Sequence, residues 1–214
     1  MDKGGVVIIG GGGHAKVVIE LFKSLGTTIV GLTDADDTPR DVLGVPVLGD
    51  DTVLQDLFDQ GARNTFVALG DNRRRLDMGL KLQALGFNLV TAVSPRATVS
   101  PSARLGAGVA VMAGAVINAE AEVGDLVIVN SGAIVEHDVV LGRGCHIGPG
   151  AVLAGQVRIG QAALLGAGSC VIPGRQIGAN SVIGAGGCVL RDIPADVVAV
   201  GVPALVLRSR LEVM

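Results

Sequence analysis

Two groups of residues in this chain have the types and spacing to do chemistry. The first is Val135-Glu136-His137-Asp138, a histidine held between two carboxylates. An imidazole titrates near neutrality and can act as a general base, and an adjacent carboxylate can hold its ring and tautomer. The residue 18 positions on from His137 is Gly155. Stacked above the imidazole, a glycine leaves room for an acyl donor and offers a backbone N–H to a developing oxyanion. The bland alternative is an exposed histidine in a charged corner, and residue types alone leave both readings open.

The second group is Gly10-Gly11-Gly12-Gly13-His14-Ala15-Lys16, directly after the apolar run Val6-Val7-Ile8-Ile9. Gly10, Gly12 and Ala15 fit G-x-G-x-x-[GA], and Asp34 stands near the spacing of a ribose-binding acid. Glycines let backbone N–H groups approach a diphosphate at a helix N-terminus. A dinucleotide fits poorly, because residues 1–92 supply four strands at most and no redox residue set follows. A nucleoside diphosphate is the better expectation, with a ligand-free tight turn as the alternative. Gly10, Gly13 and His14 are the candidate diphosphate contacts, although His14 can equally be a polar cap. Asp34, Asp36 and Asp37 suit a ribose or base edge, or else an acidic surface turn. In Gly70-Asp71-Asn72-Arg73-Arg74-Arg75, Asn72 and one arginine are expected at the same sheet edge, with the other arginines on a solvated helix face.

The elements that must carry these groups differ between the two halves. Strands at Val6–Ile9, Thr28–Leu32, Thr65–Leu69 and Asn88–Ala92 alternate with helices ending at Gly26, over Thr52–Asp59 and near Asn72–Leu85. That pattern predicts a small parallel α/β sheet over residues 1–92. From Val93 the chain counts in sixes: an aliphatic residue recurs without a miss through Val99, Leu105, Val111 and onward to Val189. The fifth place is small, from Ala97 to Gly187, with Arg175 and Ile193 the departures. Gly106, Gly124, Gly142 and others hold the second place, where we expect glycine to supply unusual backbone angles. Such a period is the signature of a solenoid. Short strands separated by corners, three to a coil, stack residues 18 apart over 93–194, leaving 195–214 as a tail.

Composition limits the function classes. The chain has 214 residues, no Trp or Tyr, 33 Gly, and a net charge of −3. That charge, with a pI near 5.5, gives no support for nucleic-acid binding. Mean hydropathy is +0.57, yet no apolar stretch approaches the ~18 residues of a membrane span. Buried flat faces explain the excess, so a homo-oligomer is expected. The Met-Asp-Lys start lacks a signal-peptide pattern, and a cytoplasmic location is expected. Cys145, Cys170 and Cys188 form no metal-spaced set. Cys170 and Cys188 should stack as a reduced pair.

The glycine loop at 10–16, the run Asn130…Glu136-His137-Asp138…His146, Ala154-Gly155 and the tail Gly201-Val202-Pro203-Ala204 together resemble a known family. It comprises bacterial nucleotide-sugar acetyltransferases with a Rossmann-like N-terminal domain and a left-handed β-helix of hexapeptide repeats. Members include 4-amino-sugar N-acetyltransferases and sialic-acid O-acetyltransferases, and the resemblance covers essentially the whole chain. It implies acetyl-CoA as cosubstrate, no metal, no acyl-enzyme and a homotrimer. By the same resemblance His137 is the general base, Asp138 its orienting carboxylate, and Gly155 the donor to the thioester carbonyl. His146 is a second histidine near the acetyl group, and Asn130 supports it. Ala167 and Ala185 lie at the corners along which pantetheine runs. Retention of a diphosphate loop favours N-acetylation of a UDP- or GDP-linked 4-amino-4,6-dideoxy sugar over O-acetylation of a sialic acid. A metal-dependent or non-catalytic trimer is the remaining alternative, but it would want three converging histidines.

Overall fold

The computed structural model describes residues 4–210; the Met1-Asp2-Lys3 start and positions 211–214 lie outside the described residues. The chain divides into two compact units, Met1–Ala92 and Val93–Met214.

The first unit is built on β1 (Val6–Ile9), whose four residues are all buried. An unbroken apolar strand suits the centre of a parallel sheet covered on both faces. The helix α1 (Gly13–Ser24) covers one face with Ala15, Val18, Ile19, Leu21 and Phe22. Phe22 meets Phe66 edge-on at 5.3 Å between centroids, a favourable aromatic geometry. Then follow β2 (Ile29–Thr33), β3 (Asp41–Val42), β4 (Val45–Gly49), α2 (Leu54–Asp59), β5 (Asn64–Val67), α3 (Asn72–Ala84) and β6 (Asn88–Leu89). The sheet order is β3-β4-β2-β1-β5-β6, so six strands stand where the sequence suggested four. The additional two form an antiparallel hairpin that turns on Leu43 and Gly44, both at positive φ. An apolar residue in the first turn place hides a turn usually flagged by Asn-Gly or Asp-Gly. The chain leaves β1 towards β2 on one side and reaches β5 on the other. This is the switch point at which open α/β sheets hold ligands, beyond their C-terminal strand edge.

The second unit is a prism of two-residue strands. Its three faces are parallel sheets, with Ile128, His146 and Leu164 in register on the first face. Ile134, Val152 and Cys170 are in register on the second, and Glu122, Val140 and Arg158 on the third. The 18-residue stacking is therefore direct. The hexad anchors and the small fifth-place residues, including Val129, Val135, Ala133, Ala151 and Cys145, form one continuous core. Each fully buried Val, Leu or Ile contributes roughly 1.5–3 kcal/mol. At the fifth-place departure Arg175 the side chain turns partly to solvent and meets Asp192 at 3.7 Å. Cys170 and Cys188 are paired in register and are free thiols. The Cys188 side chain, hydrogen-bonded to Cys170, pushes the Cys170 thiol pKa up.

The reason for the second-place glycines differs from the expectation. Gly142 has no unusual φ; a Cβ there would lie 2.6 Å from the Gln161 backbone nitrogen on the next coil. The column is glycine because stacked corners leave no room for a side chain. Positive φ belongs to another column, two residues later, which holds Gly114, Gly132 and Gly150 but also Glu120, Asp138, Gln156 and Ala162. The tail adds Val197–Val200 to the first face and then an antiparallel edge strand, Leu205–Ser209.

Candidate active site

His137 stands in the corner between the second and third faces, two residues past the strand Ile134–Val135. The corner geometry demands a left-handed residue next, and Asp138 takes it at φ 58. Asp is one of the few side chains that tolerate this region, and its N–H is anchored to the Ala119 carbonyl at 3.1 Å. That backbone turn brings the carboxylate back onto the imidazole: His137 Nδ1 and Asp138 Oδ2 are 2.8 Å apart. The carboxylate accepts from Nδ1–H, so the lone pair of the neutral ring sits on Nε2. Nε2 in turn lies over Gly155, where a Cβ would be 2.5 Å away. The Gly155 carbonyl accepts from Gly174 at 3.0 Å, while its N–H donates to no group among the described residues. A basic nitrogen and an unused backbone donor thus share one corner, with the imidazole about half exposed to solvent at 57%.

Asn130 and His146 form a separate pair. Asn130 Oδ1 accepts from the Ser131 N–H at 2.8 Å, which turns its Nδ2 towards His146 Nε2 at 3.0 Å. His146 lies on the first face, and Asn130 opens the corner between the first and second faces. Ala167 and Ala185 head the same corner column as Ser131, 36 and 54 residues on. Within one chain, then, His137 and Gly155 occupy one corner while Asn130, Ala167 and Ala185 occupy another, with His146 on the first face beside it. The sequence reading had not separated them, although 18-residue arithmetic contains the distinction.

In the first unit the glycine loop divides by position. Gly10 has φ +107, and a Cβ would strike Leu69 at 2.9 Å; at Gly11 a Cβ would meet the Asp34 carboxylate. Gly12 and Gly13 have neither need, with nothing within 4 Å and no positive φ. Nothing in the protein itself requires glycine at those two places. The helix they open has no side-chain cap and no acid in its first turn, which leaves its N–H groups for an anion. His14 Nε2 is buried without a hydrogen-bond partner. Burial, then the charge of Arg75, lowers its pKa to about 4, so it is neutral near pH 7 and cannot be a cationic clamp.

Asp34 is not a free carboxylate: Arg40 meets it at 2.5 Å. Asp36 is exposed and receives Thr38 Oγ1 at 2.6 Å; that bond is the main cause of its lowered pKa. Arg75 overturns the expectation of a solvated arginine, being 1% exposed. It donates to the Leu69 carbonyl at 2.9 Å and to Asn72 Oδ1 at 2.7 Å. Asn72 is thereby tied to holding the loop after β5. A cavity of about 330 Å³ opens at this edge, walled by Ile9 and Thr33 at the ends of β1 and β2, by Leu69 after β5 and by Arg74, Asp77 and Lys81 of α3. The sequence reading missed Arg40, Asp77 and Lys81, which carry no motif and are placed only by folding. Among the described residues no three His, Cys, Asp or Glu side chains gather to hold a metal ion. No helix there is long and apolar enough to cross a membrane.

Comparison with known proteins follows the same division. A PglD N-terminal domain is matched over residues 5–81 and bacterial transferase hexapeptide repeats over residues 120–155. A curated relative, uncharacterized protein L142 of Acanthamoeba polyphaga mimivirus, is 33% identical over 104 residues, and the match spans 20% of its length. A histidine mutant of perosamine N-acetyltransferase from Caulobacter crescentus, solved with CoA and GDP-perosamine, is 56% identical with a TM-score of 0.95. That match covers 96% of this chain and 98% of that one. The acetyltransferase domain of PglB from Neisseria gonorrhoeae FA1090, in complex with acetyl coenzyme A, is 41% identical with a TM-score of 0.90, over 95% and 99% of the two chains. WeeI from Acinetobacter baumannii AYE, at 22% identity, shares the fold with a TM-score of 0.87 over 95% and 99% of the two chains. Identity sustained over nearly the whole of both chains, across an α/β unit and a hexapeptide β-helix, places this chain in the acyltransferase family of the perosamine N-acetyltransferase and the PglB acetyltransferase domain.

Proposed function

We propose that this chain transfers the acetyl group of acetyl-CoA to the 4-amino group of a nucleotide-linked 4-amino-4,6-dideoxy sugar, UDP- or GDP-linked. The observation that carries the reading is the seating of His137 Nε2 over Gly155, with Asp138 on Nδ1. The sugar amine attacks the thioester carbonyl, forming the C–N bond while its proton passes to His137 Nε2. The Gly155 N–H receives the developing oxyanion. Collapse of the tetrahedral species breaks the C–S bond, and the imidazolium returns its proton to the departing CoA thiolate. Asp138 keeps the ring in the tautomer this requires and stabilises its charged form. In the first unit the diphosphate sits at Gly12 and Gly13, whose open surroundings leave the backbone approachable, with Gly10 and neutral His14 beside it. Asp34 and Asp36 lie on the ribose and base side, and Asn72 acts through Arg75 on the loop. The relatives support the substrates, since one is solved with CoA and GDP-perosamine and another with acetyl coenzyme A.

Self-association as a homotrimer belongs to this reading. The second face carries an apolar outward column of Val116, Ile134 and Val152, whereas the third carries Arg104, Glu122, Val140 and Arg158, charged at all but one of these places. A face-to-face trimer would bury the first kind of column and leave the second in water. It would also let Asn130, His146, Ala167 and Ala185 of one copy complete the corner of His137 and Gly155 of another, along which CoA would lie. Three free thiols suit the reducing cytoplasm in which acetyl-CoA is available.

The test is CoA release from acetyl-CoA with UDP- and GDP-linked 4-amino-4,6-dideoxy sugars and with free sialic acid. Acetylation of a nucleotide amino sugar is expected, with a ~10²–10⁴-fold loss in His137→Ala and no change in its circular dichroism. Turnover confined to sialic acid, or an undiminished His137→Ala, overturns the proposal.

A further inference from the structure

We infer that the nucleobase of this substrate is guanine and that Asp77 reads it. The inference rests on the nucleotide-sugar reading and deepens it. The cavity beside the glycine loop is lined by three carboxylates, Asp34, Asp51 and Asp77. Two are already engaged: Asp34 is paired with Arg40 at 2.5 Å, and Asp51 accepts from Thr33 Oγ1 at 3.0 Å. The Asp77 carboxylate has no side-chain hydrogen bond or ion pair among the described residues, and neither does the side chain of Arg74; Lys81, on the same cavity, has no hydrogen bond, and its charge acts on Asp50. Ile9, Leu69 and Met78 supply apolar lining against which a flat ring can lie.

Asp77 is thus an uncommitted acceptor and Arg74 an uncommitted donor, with the Lys81 ammonium beside them. A carboxylate offers two acceptor oxygens side by side and no donor, while Lys and Arg offer donors only. Guanine presents two adjacent donors, N1–H and N2–H₂, and elsewhere the acceptors O6 and N7. Uracil and thymine present a single N3–H flanked by two carbonyls, so one carboxylate oxygen would face a carbonyl oxygen. Adenine places its N1 lone pair where the carboxylate needs a proton, and cytosine does the same with N3. Among the common bases only guanine satisfies both oxygens of Asp77 while leaving acceptors for Arg74 and Lys81. The three residues recur at spacings of three and four, 74, 77 and 81, so α3 sets them on one helix face. Asp77 is exposed on that helix and has no structural bond to lose.

The experiment is calorimetric binding of GDP, UDP and IDP to the wild-type chain and to Asp77→Asn, with steady-state kinetics on the matching nucleotide 4-amino sugars. IDP lacks only the 2-amino group of guanine. We expect GDP to bind at least about 10-fold tighter than UDP or IDP, because a hydrogen bond to a charged group is worth about that factor or more. In Asp77→Asn, GDP should weaken about 10- to 100-fold and lose its advantage over IDP. KM for the GDP-linked sugar should rise while kcat and KM for acetyl-CoA hold. Preference for UDP overturns the guanine assignment and leaves the acetyltransferase reading standing. Unchanged GDP binding in Asp77→Asn overturns the role of Asp77. Failure to acetylate any nucleotide amino sugar, in a chain that binds none of the three diphosphates, removes the reading on which the inference rests.

Discussion

One methyl group added at Gly155 would lie 2.5 Å from His137 Nε2, and the ring would have to swing away from the place an acyl carbon needs. Gly155→Ala is therefore expected to cost about 10² or more in kcat, with little change in thermal unfolding because the half-exposed imidazole can swing into solvent. A variant as active as wild type would remove Gly155 from the site. Asp138→Asn keeps the shape but loses the charge that stabilises the imidazolium. A fall of about 10-fold or more in kcat, with a displaced lower limb of the pH–rate profile, is expected. His14 gives a stability prediction whose sign follows from its burial. It titrates near 6.5 when unfolded and near 4 when folded, so between those values the unfolded chain binds the extra proton. Its contribution is complete above pH 6.5, is lost as pH falls towards 4, and changes no further below that. The span is about 3 kcal/mol at most. Urea midpoints across this range should fall less steeply in His14→Gln than in wild type; parallel curves would contradict the buried neutral ring.

At the scale of the coil, two columns of glycine have different physical causes and so predict opposite responses. Gly142 is crowded by the next coil, a Cβ lying 2.6 Å from Gln161 N. Gly142→Ala should therefore destabilise by about 1–3 kcal/mol, as overpacking does. Ala162 already has a side chain at φ +56. Replacing it by glycine relieves roughly 1 kcal/mol of left-handed strain against a similar loss of chain entropy, so Ala162→Gly should be close to neutral. Denaturant titration of the two variants reads the difference, and equal effects would refute the separation. Both columns are periodic in the sequence, yet the period carries no label for which is crowded and which is turned. The hairpin at Leu43-Gly44 was hidden for a related reason. Its turn is defined by two positive φ angles that an apolar residue does not announce.

For the whole molecule, the placement of His137 at one corner of the prism and of His146 on the first face, away from that corner, makes association a matter of catalysis as well as stability. Val152 stands 37% exposed in the apolar column of the second face. If that column is the contact between copies, Val152→Glu places a charge where it must be desolvated. Sedimentation should then show dissociation, and turnover should fall with it. A Val152→Glu chain that stays associated and active would assign the contact to another face. The coils themselves should survive the substitution, because each repeat rests only on its neighbours.

The sequence by itself determined the architecture of the second unit. An apolar residue must point inward at every sixth place, and one miss would leave a hole in a core only one side chain wide. It also placed His137, Asp138 and Gly155 together, since their 18-residue stacking follows from the period. In the first unit it located the glycine loop, because only glycine allows that backbone approach. Tertiary structure alone decided which polar groups are spoken for. Arg75 and Arg74 are neighbours of identical type, yet one is buried against Leu69 and Asn72 and the other lines a cavity. Asp34 and Asp77 are both acids near one sheet edge, and Arg40, on a connecting segment, engages the first while the second stays uncommitted. Such distinctions depend on which side chains from distant elements arrive at the same place, and no local pattern of residues records that.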